Sequence, residues 1–274
     1  MVIGHGNNAD ILQATINHFD SDKIDFFVHW DKKWAQPTLC AKDSQIIMIE
    51  NPLRVQWGTD SQIRVEKLLL EKVRTMDKKY DYVHLISAND LPLMTKDYFI
   101  NYFTNSLYLG FVENVDLETR RRLSWWYPSN INYRSKNHIG TIVFKFVVLI
   151  NKLFRIDRLS DYKDVVVEKG CNWFSIEAKY LDTILNYKNY DIFKHTFLAD
   201  EMYIQTILHN YKPNKLFNDN EMAARYIDWK RGLPYVFKDT EEDIRELKGL
   251  INTKYAFARK IESVEVLKNV FSKN

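Results

Sequence analysis

The chain has 274 residues, 46% hydrophobic and 27% charged, so it can bury a substantial core and remain in solution. Its formal net charge of +3 argues against a dedicated nucleic-acid-binding protein. Two cysteines, Cys40 and Cys171, provide neither a disulfide framework nor a metal-binding spacing, which favours a reducing cytoplasm. The sequence contains no signal peptide and no run of about twenty apolar residues, so we expect no membrane-spanning helix.

Strand and helix patterns alternate in the first third of the chain. We predict strands at 1–5, 23–30, 44–50 and 80–86, and helices at 10–19 and 59–76. This alternation predicts a parallel sheet with right-handed crossovers. Asp31 follows the second strand directly, and ligands bind at the carboxyl ends of strands in open α/β sheets. Asp60 or Ser61 is expected to cap the second helix.

A basic run precedes two aromatic residues after a strand predicted at 107–113. Arg120, Arg121 and Arg122 are followed by Trp125 and Trp126. Aromatic faces stack on sugar rings and arginines bind hydroxyls or phosphates, so sugar binding explains this pattern at least as well as nucleic-acid binding. A solvated turn beside core tryptophans is an equally good explanation.

The stretch 141–159 is apolar but carries four cations at Lys145, Lys152, Arg155 and Arg158. It is too charged to span a bilayer and suits a helix that lies in the membrane interface. An ordinary helix packed on the core explains it equally well. On the first interpretation the protein contacts the inner face of the cell membrane peripherally; on the second it is cytoplasmic.

Two adjacent acids, Asp200 and Glu201, precede a helix. Its apolar face is expected to contain Met202, Ile204, Gln205, Ile207 and Leu208. Acids in a first helical turn are stabilised by the helix dipole, so capping is the ordinary explanation. The alternative is a carboxylate at the lip of a cleft, where it takes a proton from a bound hydroxyl.

The last part of the chain predicts a helix over 177–185, a strand at 225–229, a helix at 240–250 and a terminal helix after 255–261. No linker or repeat is visible, so we expect one domain covering 1–274.

Seven segments in a fixed order resemble the core-2/I-branching glycosyltransferases, a family that includes peptide O-xylosyltransferases and many bacterial members. Each segment is weakly specific alone, but together they cover nearly the whole chain. The segments are HWDKK (29–33), WGTDS (57–61), ISANDLPL (86–93), GCNWFSI (170–176), ADEMYIQTIL (199–208), RYIDW (225–229) and FARKI (257–261). We expect a bacterial member of the family, because the sequence shows no stem or membrane anchor before the catalytic region.

The resemblance implies an α/β fold of the GT-A type, with a mostly parallel central sheet flanked by helices. It divides the domain into a nucleotide-binding half, 1–105, and an acceptor and catalytic half, 106–274. It implies inverting transfer of a sugar, N-acetylglucosamine or xylose, from a UDP-sugar to a glycan hydroxyl without a divalent metal. Asp20-Ser21-Asp22 has the spacing of a metal-binding motif, but a turn between helix and strand explains it better.

The resemblance also assigns roles to individual residues on the donor side. Glu201 matches the catalytic base, Ile3 and Asp31 the uridine contacts, and Trp57 another nucleotide contact. Asp90 is expected either to touch the donor or to order the loop around it.

Basic side chains are expected to replace the metal at the diphosphate. Lys260, with Arg259, matches that position, and charge placed where it develops in the transition state is a large catalytic contribution. A second basic contact is expected from Arg225, Lys230 or Arg231, between which the sequence does not decide.

On the acceptor side the resemblance points to Glu113 and Arg122, with Trp173 shaping the cleft and Asp200 capping the helix or binding a sugar hydroxyl. The expected acceptor is a glycan or, if 141–159 contacts membrane, a lipid-linked oligosaccharide in surface polysaccharide or glycoconjugate synthesis. The alternatives are a non-catalytic sugar-binding module of the same fold and, least favoured, a nucleic-acid binder.

Overall fold

A computed structural model describes residues 1–133 and 139–272 of the chain. Within them, a four-stranded parallel sheet has the order β3-β2-β1-β5. Its strands are β1 (Val2–Gly4), β2 (Phe26–Trp30), β3 (Ile46–Met48) and β5 (Ile86–Ser87). β2 is buried along its whole length, as expected for an apolar strand covered on both faces. The predicted α/β fold with a mostly parallel central sheet is confirmed.

Two helices connect the strands of this sheet. α1 (Asp10–Phe19) has the predicted bounds and buries Leu12, Ile16 and Phe19 at helical spacing. α2 (Ser61–Arg74) packs on β2. Asp60 occupies the N-cap position of α2, but its side chain does not cap the helix. It accepts a hydrogen bond from the backbone N–H of His195 at 2.9 Å, so it joins α2 to the segment before Glu201.

Two three-stranded sheets combine early and late parts of the chain. β4 (Tyr82–His84) and β7 (Leu107–Tyr108) both pair antiparallel with β8 (Ser175–Glu177). β10 (Phe257–Arg259) lies between β6 (Asp90–Pro92), antiparallel, and β9 (Arg225–Ile227), parallel. The strand predicted at 80–86 is therefore two strands in different sheets, and the strand predicted at 107–113 is only two residues long.

The remaining α-helices cover the sheets and the chain ends. They are α3 (Lys96–Tyr102), α4 (Leu117–Ser124), α5 (Ile139–Leu153), α6 (Leu181–Leu185), α7 (Asp200–Ile207), α8 (Asp219–Met222), α9 (Glu241–Lys248) and α10 (Val264–Phe271). A short 3-10 turn occupies Ala178–Tyr180, so only α6 of the helix predicted over 177–185 is α-helical. Another 3-10 turn occupies Arg158–Asp161. Among residues 1–133 and 139–272, no helix has the length and apolar character needed to cross a membrane.

α7 differs from the prediction in the extent of its burial. The sequence predicts one buried face, which includes Gln205, whereas every residue from Met202 to Ile207 is buried, so that Tyr203 and Thr206 on the other side are covered as well. The Gln205 Nε2 donates to the Cys171 carbonyl at 2.7 Å, and the Thr206 hydroxyl accepts from the Glu168 N–H at 3.1 Å. A helix fixed on all sides gives its first turn a defined position, and that turn contains Asp200 and Glu201.

Candidate active site

The first part of the site lies at the carboxyl edge of the parallel sheet. Ile3 is opposite Ser87 and Gly4 is opposite Trp30, so the ends of β1, β2 and β5 meet there. Ile3 is partly buried. Asp31, immediately after β2, is buried and pairs with Lys33 at 3.0 Å. Two of the predicted nucleotide contacts, Ile3 and Asp31, are therefore at the edge where ligands bind in such sheets.

The end of β10 approaches the same edge. His5 has a lowered pKa because its ring loses hydration and because the Lys260 ammonium lies near it, while Asp31 acts in the opposite direction. The His5 ring therefore lies within electrostatic range of Asp31 and Lys260, two residues that are more than 200 positions apart in sequence. Sequence reasoning missed His5, although the motif Gly4-His5-Gly6 at a strand end marks it.

Arg259 is held rigidly beside this edge. Antiparallel pairing of β10 with β6 sets Arg259 opposite Asp90, and the guanidinium donates to Asp90 Oδ1 and Ser87 Oγ at 2.8 Å each. Its plane also lies over the Trp173 ring at 3.9 Å, a cation–π contact. Asp90 accepts further bonds from the Ser87 N–H and hydroxyl. Asp90 thus orders the loop and the arginine, which favours the indirect of its two predicted roles.

The segment 170–173 connects Arg259 with Glu201. Trp173 at one end packs under the Arg259 guanidinium, and Gly170 at the other end donates its N–H to the Glu201 carbonyl at 2.9 Å. Gly170 also lies so close to Gly110 that a Cβ would stand 1.8 Å from the Gly110 carbonyl oxygen. The predicted base and the predicted diphosphate-binding arginine therefore flank one tightly packed segment.

Glu201 is positioned by two cations. Arg122 Nη1 donates to Glu201 Oε2 at 2.9 Å, and Lys169 Nζ lies 3.4 Å from the same oxygen. The side chain keeps 34% of its surface exposed, so solvent and a bound hydroxyl can reach it. Arg122 comes from α4, which places this predicted acceptor residue in direct contact with the predicted base. Lys169 was missed by the sequence reasoning.

Asp200 and Glu66 form a second, deeper acidic pair. Burial, followed by the negative charge of Glu201, raises the pKa of Asp200 to about 7. Glu66 on α2 is fully buried, and its pKa is raised well above the usual value by burial and by Asp200. The Asn172 amide, with its nitrogen turned toward them, donates to Glu66 Oε1 and to the Asp200 carbonyl, both at 3.0 Å.

The position of Glu66 within α2 is itself a sequence signal for a buried acid. Glu66 is three residues after Ile63 and four before Leu70, which places it on the apolar face of α2. An acid on a buried helix face needs a polar partner, and here that partner comes from the segment 170–173.

Arg225 does not lie in the site, contrary to the prediction. It has no exposed surface, and its guanidinium donates to the carbonyls of Ala223, Leu85 and Phe174 and to Ser175 Oγ. Burial lowers its pKa to about 10. These bonds connect β9 with the start of β8 and with Leu85, between β4 and β5, and leave Arg225 enclosed by protein. We therefore correct its role from donor binding to structural support.

The alternatives to Arg225 are also placed by the structure. Arg231 is bound by Asp228, Asp243 and Glu246 and lies over the Tyr235 ring, which occupies its guanidinium within a surface network. Lys230 is exposed in the turn after β9. Of the cations predicted to bind the diphosphate, Arg259 and Lys260 are those that lie near the sheet edge in the described part of the chain.

Trp57 lies beside the segment before α7. Its ring is 39% exposed and meets Phe197 edge to face at 6.3 Å. Lys33, which pairs with Asp31, donates to the Val55 carbonyl at 2.6 Å, so the Trp57 loop adjoins the Asp31 end of the site. Glu113 is exposed, and its carboxylate contacts neither Glu201 nor Arg122.

The Asp20-Ser21-Asp22 motif has a structural task. Asp20 accepts backbone N–H bonds from Lys42, Asp43 and Ser44, which lower its pKa to about 2. In the described ranges, 1–133 and 139–272, no group of three or more His, Cys, Asp or Glu side chains is arranged to hold a metal ion.

A cavity of about 570 Å³ lies away from these residues, beside α2. Its lining includes Asp60, Arg64, Lys67, Tyr190, Lys194 and His195 but neither Glu201 nor Arg259. This cavity therefore does not contain the residues that the resemblance assigns to the base and to the diphosphate.

A search among curated proteins finds no match to the chain. The family model described as Core-2/I-Branching enzyme matches residues 1–248, which include Glu201 and Asp90, while Arg259 and Lys260 lie beyond the matched range. The match and the parallel sheet flanked by helices agree with the expected GT-A type fold. The chain therefore belongs to the Core-2/I-Branching enzyme family, whose members are glycosyltransferases.

Proposed function

We propose that the protein is an inverting glycosyltransferase that moves N-acetylglucosamine from a UDP-sugar to a hydroxyl of a glycan acceptor without a divalent metal. One observation carries the proposal: the Glu201 backbone and the Arg259 guanidinium contact opposite ends of the segment 170–173, at 2.9 and 3.9 Å. Inversion in a single displacement requires a base on one side of the anomeric carbon and a leaving-group-binding cation on the other.

Glu201 is the proposed general base. The acceptor oxygen forms a bond to the anomeric carbon as the bond from that carbon to the diphosphate oxygen breaks. Glu201 takes the hydroxyl proton, and UDP leaves with the bonding electron pair. Arg122 and Lys169 hold the carboxylate in place, at 2.9 and 3.4 Å. A positioned base of this kind contributes about two to four powers of ten in rate.

Lys260 and Arg259 are proposed to stabilise the charge that develops on the departing diphosphate. Arg259 is pre-ordered by Asp90, Ser87 and Trp173, so little reorganisation accompanies the reaction. The charge of Lys260 acts on His5, as does that of Asp31, which supports placing diphosphate and uridine along the same edge.

The acceptor is proposed to lie on the Arg122 side of Glu201. Arg122 can bind a sugar hydroxyl while it holds the base. Trp173 is buried beneath Arg259, so it supports that cation and does not itself stack on a sugar. The proposed acceptor is a growing glycan, free or lipid-linked, in bacterial surface polysaccharide or glycoconjugate assembly at the cytoplasmic side of the membrane.

The test is turnover of UDP-N-acetylglucosamine, UDP-xylose, UDP-glucose and UDP-galactose by the purified protein in EDTA. We expect turnover in EDTA, and a decrease of about 10²- to 10⁴-fold in Glu201→Gln. Glu118→Gln, which removes an exposed acid on α4, is the matched control. Unchanged activity in Glu201→Gln would remove the assigned base, and a strict requirement for added metal would refute metal independence. Binding of a UDP-sugar without any turnover would instead indicate a sugar-binding module, and preferred turnover of UDP-xylose would make xylose the transferred sugar.

A further inference from the structure

The outer face of α5 is an exposed apolar stripe. Five large side chains recur every three or four residues and are 59–71% exposed, a pattern that is unusual for a helix of a water-soluble domain. These side chains, called the α5 stripe below, are Ile139, Ile142, Phe146, Leu149 and Leu153. At 3.6 residues per turn they lie within an arc of about 80°. Phe154, 69% exposed, extends the stripe beyond the end of the helix.

The opposite face of α5 fixes its orientation. Val147 is buried, and the Asn151 amide bonds to both the N–H and the carbonyl of Trp126, at 2.8 and 2.9 Å. Gly140 lies so close to the preceding segment that a Cβ would stand 2.3 Å from the Asn132 carbonyl oxygen. These contacts hold one face of α5 on the protein and turn the stripe outward.

The surroundings of the stripe are positively charged. Lys145 and Lys152 are exposed along one flank of it, and Arg155 is exposed just after the helix. From 139 to 156 the sequence contains three Lys or Arg and no Asp or Glu, and the next acid along the chain is Asp157. The apolar face is therefore bordered by charge of one sign, as on helices that bind anionic bilayers.

We propose that α5 is a membrane-binding helix that lies in the headgroup region of an anionic bilayer, with the α5 stripe inserted and Lys145, Lys152 and Arg155 at the phosphates. Its 15 residues extend about 22 Å, less than the hydrocarbon thickness, so the helix lies in the interface and does not cross it. A protein partner would need acids to match this rim, whereas a bilayer surface supplies both negative charge and apolar depth.

The helix is also linked to the candidate active site. Phe144 of α5 packs on Phe197 with ring centroids 4.8 Å apart, and the Phe197 N–H donates to the Arg122 carbonyl at 3.1 Å. Insofar as Arg122 marks the acceptor side, an inference that depends on the proposed function, membrane binding would bring that side toward a lipid-linked acceptor. The binding of α5 to lipid does not itself depend on catalysis.

The experiment is flotation of the purified protein with phosphatidylcholine vesicles that do or do not contain about one third phosphatidylglycerol. We expect binding to the anionic vesicles that weakens as salt is added. Replacing Ile142, Phe146 and Leu149 by Ser should lower the partition coefficient by about 100-fold or more, because three apolar insertions are lost. The control replaces Leu117, Phe217 and Leu233, which are 57–81% exposed elsewhere, by Ser and should bind like wild type.

The charges are tested separately. Replacing Lys145, Lys152 and Arg155 by Gln should lower binding to anionic vesicles by about 100-fold at low salt and remove most of the salt dependence. Circular dichroism establishes that each variant is folded. Absence of vesicle binding by wild type would overturn the proposal, as would equal binding by the stripe variant. A wild-type dimer that the stripe variant converts to monomer, without lipid binding by either, would assign the stripe to a second copy instead. Glu201→Gln should bind vesicles normally, so failure of the catalytic proposal is distinguishable.

Discussion

Replacing Asp200 by Asn tests the electrostatics of the helix turn that carries Glu201. Asp200 is partly buried at the start of α7, where lost hydration and the neighbouring Glu201 charge raise its pKa from 3.8 to about 7. Asn has nearly the same shape without the charge. The substitution therefore removes the cost of holding a carboxylate there and changes little else.

The sign follows from proton linkage. The folded protein binds the Asp200 proton more tightly than the unfolded chain, so protonation stabilises the fold fully below pH 3.8 and the contribution is lost as the pH rises to about 7. A difference of about three units corresponds to about 4 kcal/mol. Residual solvent screening reduces this value, and the lost interaction with the helix dipole reduces it further. We expect Asp200→Asn to raise the free energy of unfolding by about 1–3 kcal/mol above pH 7.5 and by little near pH 4.

The assay is urea unfolding of both proteins across this pH range. Asp182→Asn, which changes an exposed acid in the first turn of α6, serves as the control and should show no such pH-dependent gain. Equal destabilisation of Asp200→Asn at every pH would refute the electrostatic argument and assign Asp200 to capping alone.

Three further substitutions test the site and its supports. Arg225→Lys leaves several buried carbonyls unbonded, so the free energy of unfolding in urea should decrease by about 2–4 kcal/mol. The affinity of the folded protein for UDP should not change. A loss of UDP affinity with unchanged stability would return Arg225 to the donor site. Gly170→Ala places a Cβ 1.8 Å from the Gly110 carbonyl oxygen. It should lower the free energy of unfolding by about 1–3 kcal/mol and should also lower the turnover rate. Wild-type values for both quantities would show that the close approach is not required. Lys260→Gln should lower kcat by about 10²- to 10³-fold, whereas Lys230→Gln, the exposed control, should not; equal losses in the two variants would contradict the assignment of the diphosphate to Lys260.

Much of the secondary structure follows from local pattern. The bounds of α1 match the predicted 10–19, and Asp31 and Ile3 lie at the sheet edge because strand order and crossover handedness place them there. Asp90 and Arg259 were predicted for the same ligand, and their pairing across β6 and β10 is a consequence of the tertiary structure that no local signal contains.

The errors have a common physical origin. Arg225 at the start of a strand has the same sequence pattern whether its side chain meets a ligand or three backbone carbonyls, and only the strands brought around it decide between them. The burial of α7 beyond its predicted face has the same origin, because Thr206 bonds to the backbone of Glu168, which folding brings from a distant segment.

The sequence by itself determined that 141–159 contains an apolar helix with interspersed cations, and that acids and bases recur at the positions typical of the family. Only the tertiary structure decided which face of α5 is covered and which pairs of charges meet. The physical reason is that periodicity specifies the angular distribution of side chains around a helix, whereas their burial depends on the neighbours that folding supplies.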